Sequence, residues 1–189
     1  MVSSHSFDLN QTGILQSPVE FEFSGLHKIL GYEIMLDYGA GTCHMTFPLW
    51  CDLGLNKICF EKQKRLLALM GVNSLEEMTF SKLPLRKSKL MTKLGNGFEV
   101  PAYEFRLDKL VLGSKIELPN ITVRLIDSKN DDTFVIGLNV LRYLSINYKP
   151  FVGQSIFQFA FEESGRELLE HDRVQKRQNN MPTTFFYLE

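Results

Sequence analysis

The chain has 189 residues, enough for one domain with a sizeable core. Hydrophobic residues make up 44% and charged residues 23%, an ordinary globular balance. A net charge of −1 argues against a nucleic-acid or anionic-membrane partner, and no apolar run approaches the roughly 20 residues that a membrane span needs.

Residues 1–16 form a polar N-terminal segment without the basic-then-apolar profile of a signal peptide. The expected location is cytoplasmic. Cys43, Cys51 and Cys59 are odd in number and contain no C-x-x-C, so a disulfide framework is not expected. Val19-Glu20-Phe21-Glu22-Phe23 alternates strictly and predicts a half-buried strand. A turn is expected within Gly25 to Gly31, then a strand over Tyr32 to Leu36. Asp37-Tyr38-Gly39-Ala40 follows, and places a carboxylate at a tight loop whose backbone amides can hold it. Thr42 to Phe47 predicts a further short strand.

Glu61 to Met70 is a helix by propensity, with Gly71 suited to its C-cap. The crowded basic residues Lys82, Arg86, Lys87, Lys89 and Lys93 read as a solvated face. Gly95-Asn96-Gly97 between two extended stretches, Lys89 to Leu94 and Phe98 to Leu107, is a hairpin signal. Strands are expected over Leu110 to Leu118 and Ile121 to Ile126, with turns at Gly113 and Pro119-Asn120. Thr133 to Ile136 predicts a buried strand, Leu138 to Leu144 a short helix, and Ser155 to Phe161 a last strand. Residues 162–189 change character: Glu162 to Arg177 is charged and helical, and Thr183 to Leu188 is apolar and strand-like.

Two motifs together carry a resemblance. Asp37-Tyr38-Gly39-Ala40 and, much later, Ile136-Gly137-Leu138-Asn139-Val140-Leu141 have the order of the retroviral-type aspartic proteases, the retropepsins. Between them Gly95, Asn96, Gly97 and Phe98 occupy the place of that family's flap, and residues 17–161 span the likeness. The resemblance implies a mainly β, closed retropepsin-like barrel (the acid protease fold) with a few short helices, here with a helical C-terminal extension. It implies Asp37 as the catalytic residue, and Tyr38, Gly39, Ala40 and Gly41 as its loop. Ile136, Gly137, Asn139 and Leu141 would form the supporting motif.

Peptide hydrolysis by this route needs two carboxylates facing one water, one ionised and one protonated, because two like charges at hydrogen-bonding distance cannot both ionise. The chain has one such motif, so the reading is a homodimer cleaving a peptide or protein substrate, with no metal and no cofactor. Tyr38 stands where the family has Thr or Ser, whose short hydroxyl bonds across the dimer axis. That departure keeps a second reading in view, a catalytically inactive retropepsin-fold module that dimerises or binds peptides. A Cys43–His44 hydrolase ranks last, because neighbouring residues on a strand point to opposite faces. Cys43, His44, Cys51 and Cys59 also lack metal-ligand spacing.

Overall fold

The computed structural model describes residues 3–9, 14–16, 19–30, 34–93, 98–113, 116–128, 133–151 and 154–178. The flap tip Gly95, Asn96 and Gly97 and the apolar stretch Thr183 to Leu188 lie outside the described residues. The N-terminal segment contributes strands β1 (Ser3–Leu9) and β2 (Ile14–Gln16). The following hairpin is β3 (Val19–Phe23) and β4 (Leu26–Leu30). Its turn is Ser24-Gly25, both at positive φ (53° and 80°), so the expected turn narrows to two residues and Leu26 to Leu30 is strand. Asp108 Oδ2 accepts the Ser24 N–H at 2.6 Å and holds a serine in that left-handed conformation.

Next come β5 (Ile34–Leu36) and β6 (Cys43–Thr46), joined by the Asp37 loop. Phe47 starts helix α1 (Phe47–Asp52), because Pro48 favours a helix start over continuing the strand. Helices α2 (Leu55–Lys62) and α3 (Lys64–Leu69) replace the single helix expected from Glu61 to Met70. The first starts early, after Gly54 at φ 74°, and the break falls at the buried Gln63. Gly71 does end α3, at φ 72°, with the Val72 N–H reaching back to Leu67 O at 2.9 Å.

Short strands β7 (Arg86–Lys87), β8 (Thr92–Lys93) and β9 (Glu99–Val100) precede the long hairpin β10 (Ala102–Leu112) and β11 (Ile116–Ile126). Pro119-Asn120 is not a turn. The strand runs through it, with Pro119 opposite Lys109 and Asn120 at φ 58°, a conformation asparagine tolerates. The remainder is β12 (Phe134–Ile136), α4 (Leu138–Leu141), β13 (Ser145–Phe151), β14 (Gln154–Phe161) and α5 (Glu163–Gln178).

The fold is mainly β. One sheet takes the order β13-β14-β1-β2-β5-β12-β6-β11-β10-β3-β4, with β7 on β10, and curls as a half-barrel. Its end strands β13 and β4 do not pair with each other among the described residues, so the expected closed circuit is a curled open one. β8 and β9 form a separate two-stranded sheet. Phe21, Phe23, Trp50, Phe105 and Phe134 are fully buried in one core, and Phe23 meets Phe105 edge-on at 5.7 Å between ring centres. No helix among the described residues is long and apolar enough to cross a membrane.

Candidate active site

The placement of β12 makes the site. This strand lies between β5 and β6, parallel to the first and antiparallel to the second. The Asp37 loop must therefore arch over the end of β12 to connect its two neighbours. The ladder continues into the loop, with the Asp37 N–H donating to Ile136 O at 3.1 Å. Leu138 N–H then donates to Ala40 O at 2.7 Å from the start of α4.

Gly137 is wedged between these two bonds. A Cβ there would lie 2.6 Å from the Thr42 carbonyl carbon and 2.7 Å from Ala40 O. Its φ of −100° is ordinary, so close backbone approach is what demands glycine. Asn139 ties the far side: its Oδ1 accepts the Cys43 N–H at 2.7 Å and its Nδ2 donates to Thr122 O at 2.8 Å. One side chain thus joins β6, α4 and β11. Ile136 and Leu141 are buried in the core.

Within the loop, Asp37 Oδ1 accepts the Gly39 N–H at 2.7 Å, and Asp37 O accepts the Ala40 N–H at 3.2 Å. The carboxylate is held by its own turn and is half-buried. A Cβ at 39 would sit 3.0 Å from Asp37 Oδ1, whereas one at Gly41 would meet nothing within 4 Å. Tyr38 points out of the loop and is 56% exposed, and partial burial pushes its phenol above the ordinary value.

The flap residues are only partly placed. β8 and β9 pair with Thr92 opposite Val100 and Lys93 opposite Glu99, and Phe98 stands exposed on the tip side of the Lys93–Glu99 pair. Leu90 and Met91, also exposed, precede its first arm.

Cys43 and His44 do not form a pair that could act together. Cys43 is buried and its Sγ accepts the Gly137 N–H at 3.4 Å, while burial pushes its thiol up to about 12. His44 is half-buried on the other face. Burial lowers its pKa, the Thr42 backbone and the Asp37 carboxylate raise it, and Arg124 on the neighbouring strand lowers it. Among the described residues no cluster of His, Cys, Asp or Glu could hold a metal ion.

Sequence reasoning did not find the partners of Asn139, namely Cys43 N and Thr122 O. It also missed Tyr143, which follows α4 and is buried, and the helix residues Gly165 and Asp172 that meet it. A glycine inside a charged helix was the available signal, since glycine there is costly unless something packs closely.

The chain resembles the crystal structure of a retropepsin-like aspartic protease from Rickettsia conorii at 16% identity, with a TM-score of 0.49, over 85% of this chain and 94% of that one. No family model and no curated protein matches the sequence.

Proposed function

We propose that this protein is an aspartic endopeptidase that works as a homodimer, with one Asp37 from each subunit facing a shared water. The observation that carries the reading is the Asp37 loop itself: a half-buried carboxylate on a tight turn, locked over β12 through Ala40, Gly137 and Asn139. Such rigid support is what positioned acid–base chemistry needs. The ionised carboxylate would take a proton from water as its oxygen attacks the scissile carbonyl, and the protonated partner would polarise that carbonyl.

Gly39 and Ala40 shape the loop in this reading. Gly95, Asn96, Gly97 and Phe98 would cover an extended peptide, which adds as a strand between flap and floor. No cofactor enters the reaction. Free thiols at Cys43, Cys51 and Cys59 suit a reducing compartment, and the proposed setting is cytoplasmic. The decisive experiment compares wild type with Asp37→Asn on a peptide library at mildly acidic pH. Loss of cleavage in the variant supports the aspartic mechanism, and wild-type cleavage by the variant overturns it.

One observation favours a second reading, a peptide-binding or dimerising module without catalysis. Tyr38 presents an exposed phenol where a short hydroxyl would bridge the two loops. Dimerisation and peptide binding with no cleavage by the wild type, under any condition where Asp37 is ionised on one subunit, would establish that reading instead.

A further inference from the structure

We infer that the C-terminal helix α5 is a clamp on the segment that supports the Asp37 loop, and that Asp172 is a positioning residue for that loop. The kinetic part of this inference rests on the peptidase reading; the structural part does not.

A chain of hydrogen bonds runs outward from the loop. Ala40 N–H donates to Asp37 O, Leu138 N–H donates to Ala40 O, and Arg142 N–H donates to Leu138 O at 3.1 Å. The loop is thus bonded to α4, and α4 to Arg142. The side chains of Arg142 and Tyr143 then both reach Asp172 on α5. Arg142 pairs with Asp172 Oδ2, and the Tyr143 hydroxyl donates to the same oxygen at 2.7 Å. Asp172 is largely shielded, with 17% of its side chain exposed.

Backbone packing reinforces the contact. Gly165 lies against the Tyr143 carbonyl so closely that a Cβ would collide with it. Arg166 stacks over the Phe161 ring at 4.7 Å. Gly165 and Leu169 are the buried positions among the described side chains of α5. That is little apolar area to dock a 16-residue helix. Its seating therefore depends on the polar contact at Asp172, where the hydrogen bonds involve a charged group and are correspondingly strong. A cavity of about 120 Å³ beside the contact is lined by Thr42, Asn139, Leu169 and Asp172. Loop, α4 and α5 therefore border one space, with Tyr143 as the solid bridge between them.

The test uses the full chain as wild type, Asp172→Ala and Tyr143→Phe. The second variant keeps the ring and removes only the hydroxyl, so it covers the case in which Asp172→Ala fails to fold. Amide hydrogen exchange is measured at Ala40, Cys43 and Leu138, with Phe21 and Leu110 in the β3–β10 pairing as internal reference. The expected result is exchange about tenfold faster at the three loop-side amides, the factor that losing one charged hydrogen bond carries, and unchanged exchange at the reference pair. On a cleaved peptide, kcat should fall by about tenfold with KM within about twofold, since the loop is displaced and the substrate floor is not. Unchanged exchange at the loop-side amides in a folded variant overturns the clamp. So does exchange that accelerates equally at the reference amides, because that is general destabilisation. Faster loop exchange with unaltered kcat overturns the positioning role of Asp172. A wild type that cleaves nothing removes the peptidase reading, while the exchange measurement still decides the clamp.

Discussion

Asn139 Oδ1 accepts the Cys43 N–H at 2.7 Å across 96 residues of chain, and its Nδ2 donates to Thr122 O. Three segments that are remote in sequence meet at this one amide. Asn139→Ala would leave the Cys43 N–H and the Thr122 carbonyl without their partner. The expected cost is about 1–3 kcal/mol, read as a lower midpoint in urea denaturation with unchanged slope. Asn139→Asp should be milder at Cys43, where an acceptor is kept, and harsher at Thr122, where two acceptors would face each other. A variant as stable as wild type would show that the bond contributes nothing.

Gly137 permits the loop to close on β12. Gly137→Ala places a methyl group 2.6 Å from the Thr42 carbonyl carbon, and backbone on both sides gives it no room. The expected destabilisation is about 1–3 kcal/mol, the usual range for overpacking, together with loss of any peptidase activity. Gly41→Ala is the control, since its Cβ meets nothing within 4 Å and its φ is not left-handed. It should change single-chain stability by no more than about 0.5 kcal/mol, so any weakening of self-association by Gly41→Ala marks the loop as a subunit contact.

Asp37→Asn should remove catalysis and spare the fold. The amide oxygen of asparagine can still accept the Gly39 N–H that Oδ1 accepts now, so the turn survives. A thermal midpoint within a few degrees of wild type, combined with no cleavage, is the expected pair of results. A midpoint far below wild type would mean that the carboxylate charge itself holds the loop.

Tyr38→Thr tests the departure from the retropepsin pattern. The phenol is 56% exposed, so its removal leaves no cavity in the single chain, and stability should change by no more than about 0.5 kcal/mol. If subunits meet at this loop through a short hydroxyl bond, the variant should dimerise at lower concentration, seen by sedimentation, and specific activity should saturate earlier with enzyme concentration. Weaker dimerisation would instead show that the phenol itself packs across the subunit boundary.

The thiols give a pH prediction. Burial pushes Cys43 and Cys59 up to about 12 from an ordinary 9.0, and Cys51 to about 11 with help from Asp52. At pH 8 the buried pair should react with a thiol reagent only on unfolding, and peptidase activity should survive treatment of the folded protein. Above pH 9.0 the unfolded chain loses these protons while the folded chain keeps them up to about 12. Stability from this source is therefore complete below 9.0 and falls as pH rises through that window. Rapid labelling of Cys43 at pH 8 would contradict the buried placement.

Much of the site was legible in the chain because its demands are local. Asp37 followed two residues later by glycine encodes a carboxylate capped by its own turn, and Val19 to Phe23 encodes a strand by alternation alone. Gly25, Gly71 and Gly113 mark turns for the same reason, since positive φ is a property of one residue. Two local signals misled. Pro119-Asn120 has turn chemistry, yet pairing with β10 on both sides of it, Leu118 with Leu110 and Ile121 with Leu107, carries the strand through. Glu61 to Met70 has uniform helix propensity, yet the backbone leaves helical geometry at the buried Gln63 (φ −113°, ψ 18°) and divides it.

By itself the sequence determined that Asp37 sits on a tight turn, that Ile136 leads through a glycine into a short helix, and that a charged helix follows Phe161. Only the tertiary structure decided that β12 enters between β5 and β6, which turns Gly137 into a point of backbone contact and gives Asn139 its two partners. It alone placed β1 on β14 and seated α5 on Tyr143 through Asp172. The physical reason is that period and propensity report how a segment buries one of its own faces. Which distant segment covers that face depends on closing long loops against shared hydrogen bonds, and no window of neighbouring residues contains that information.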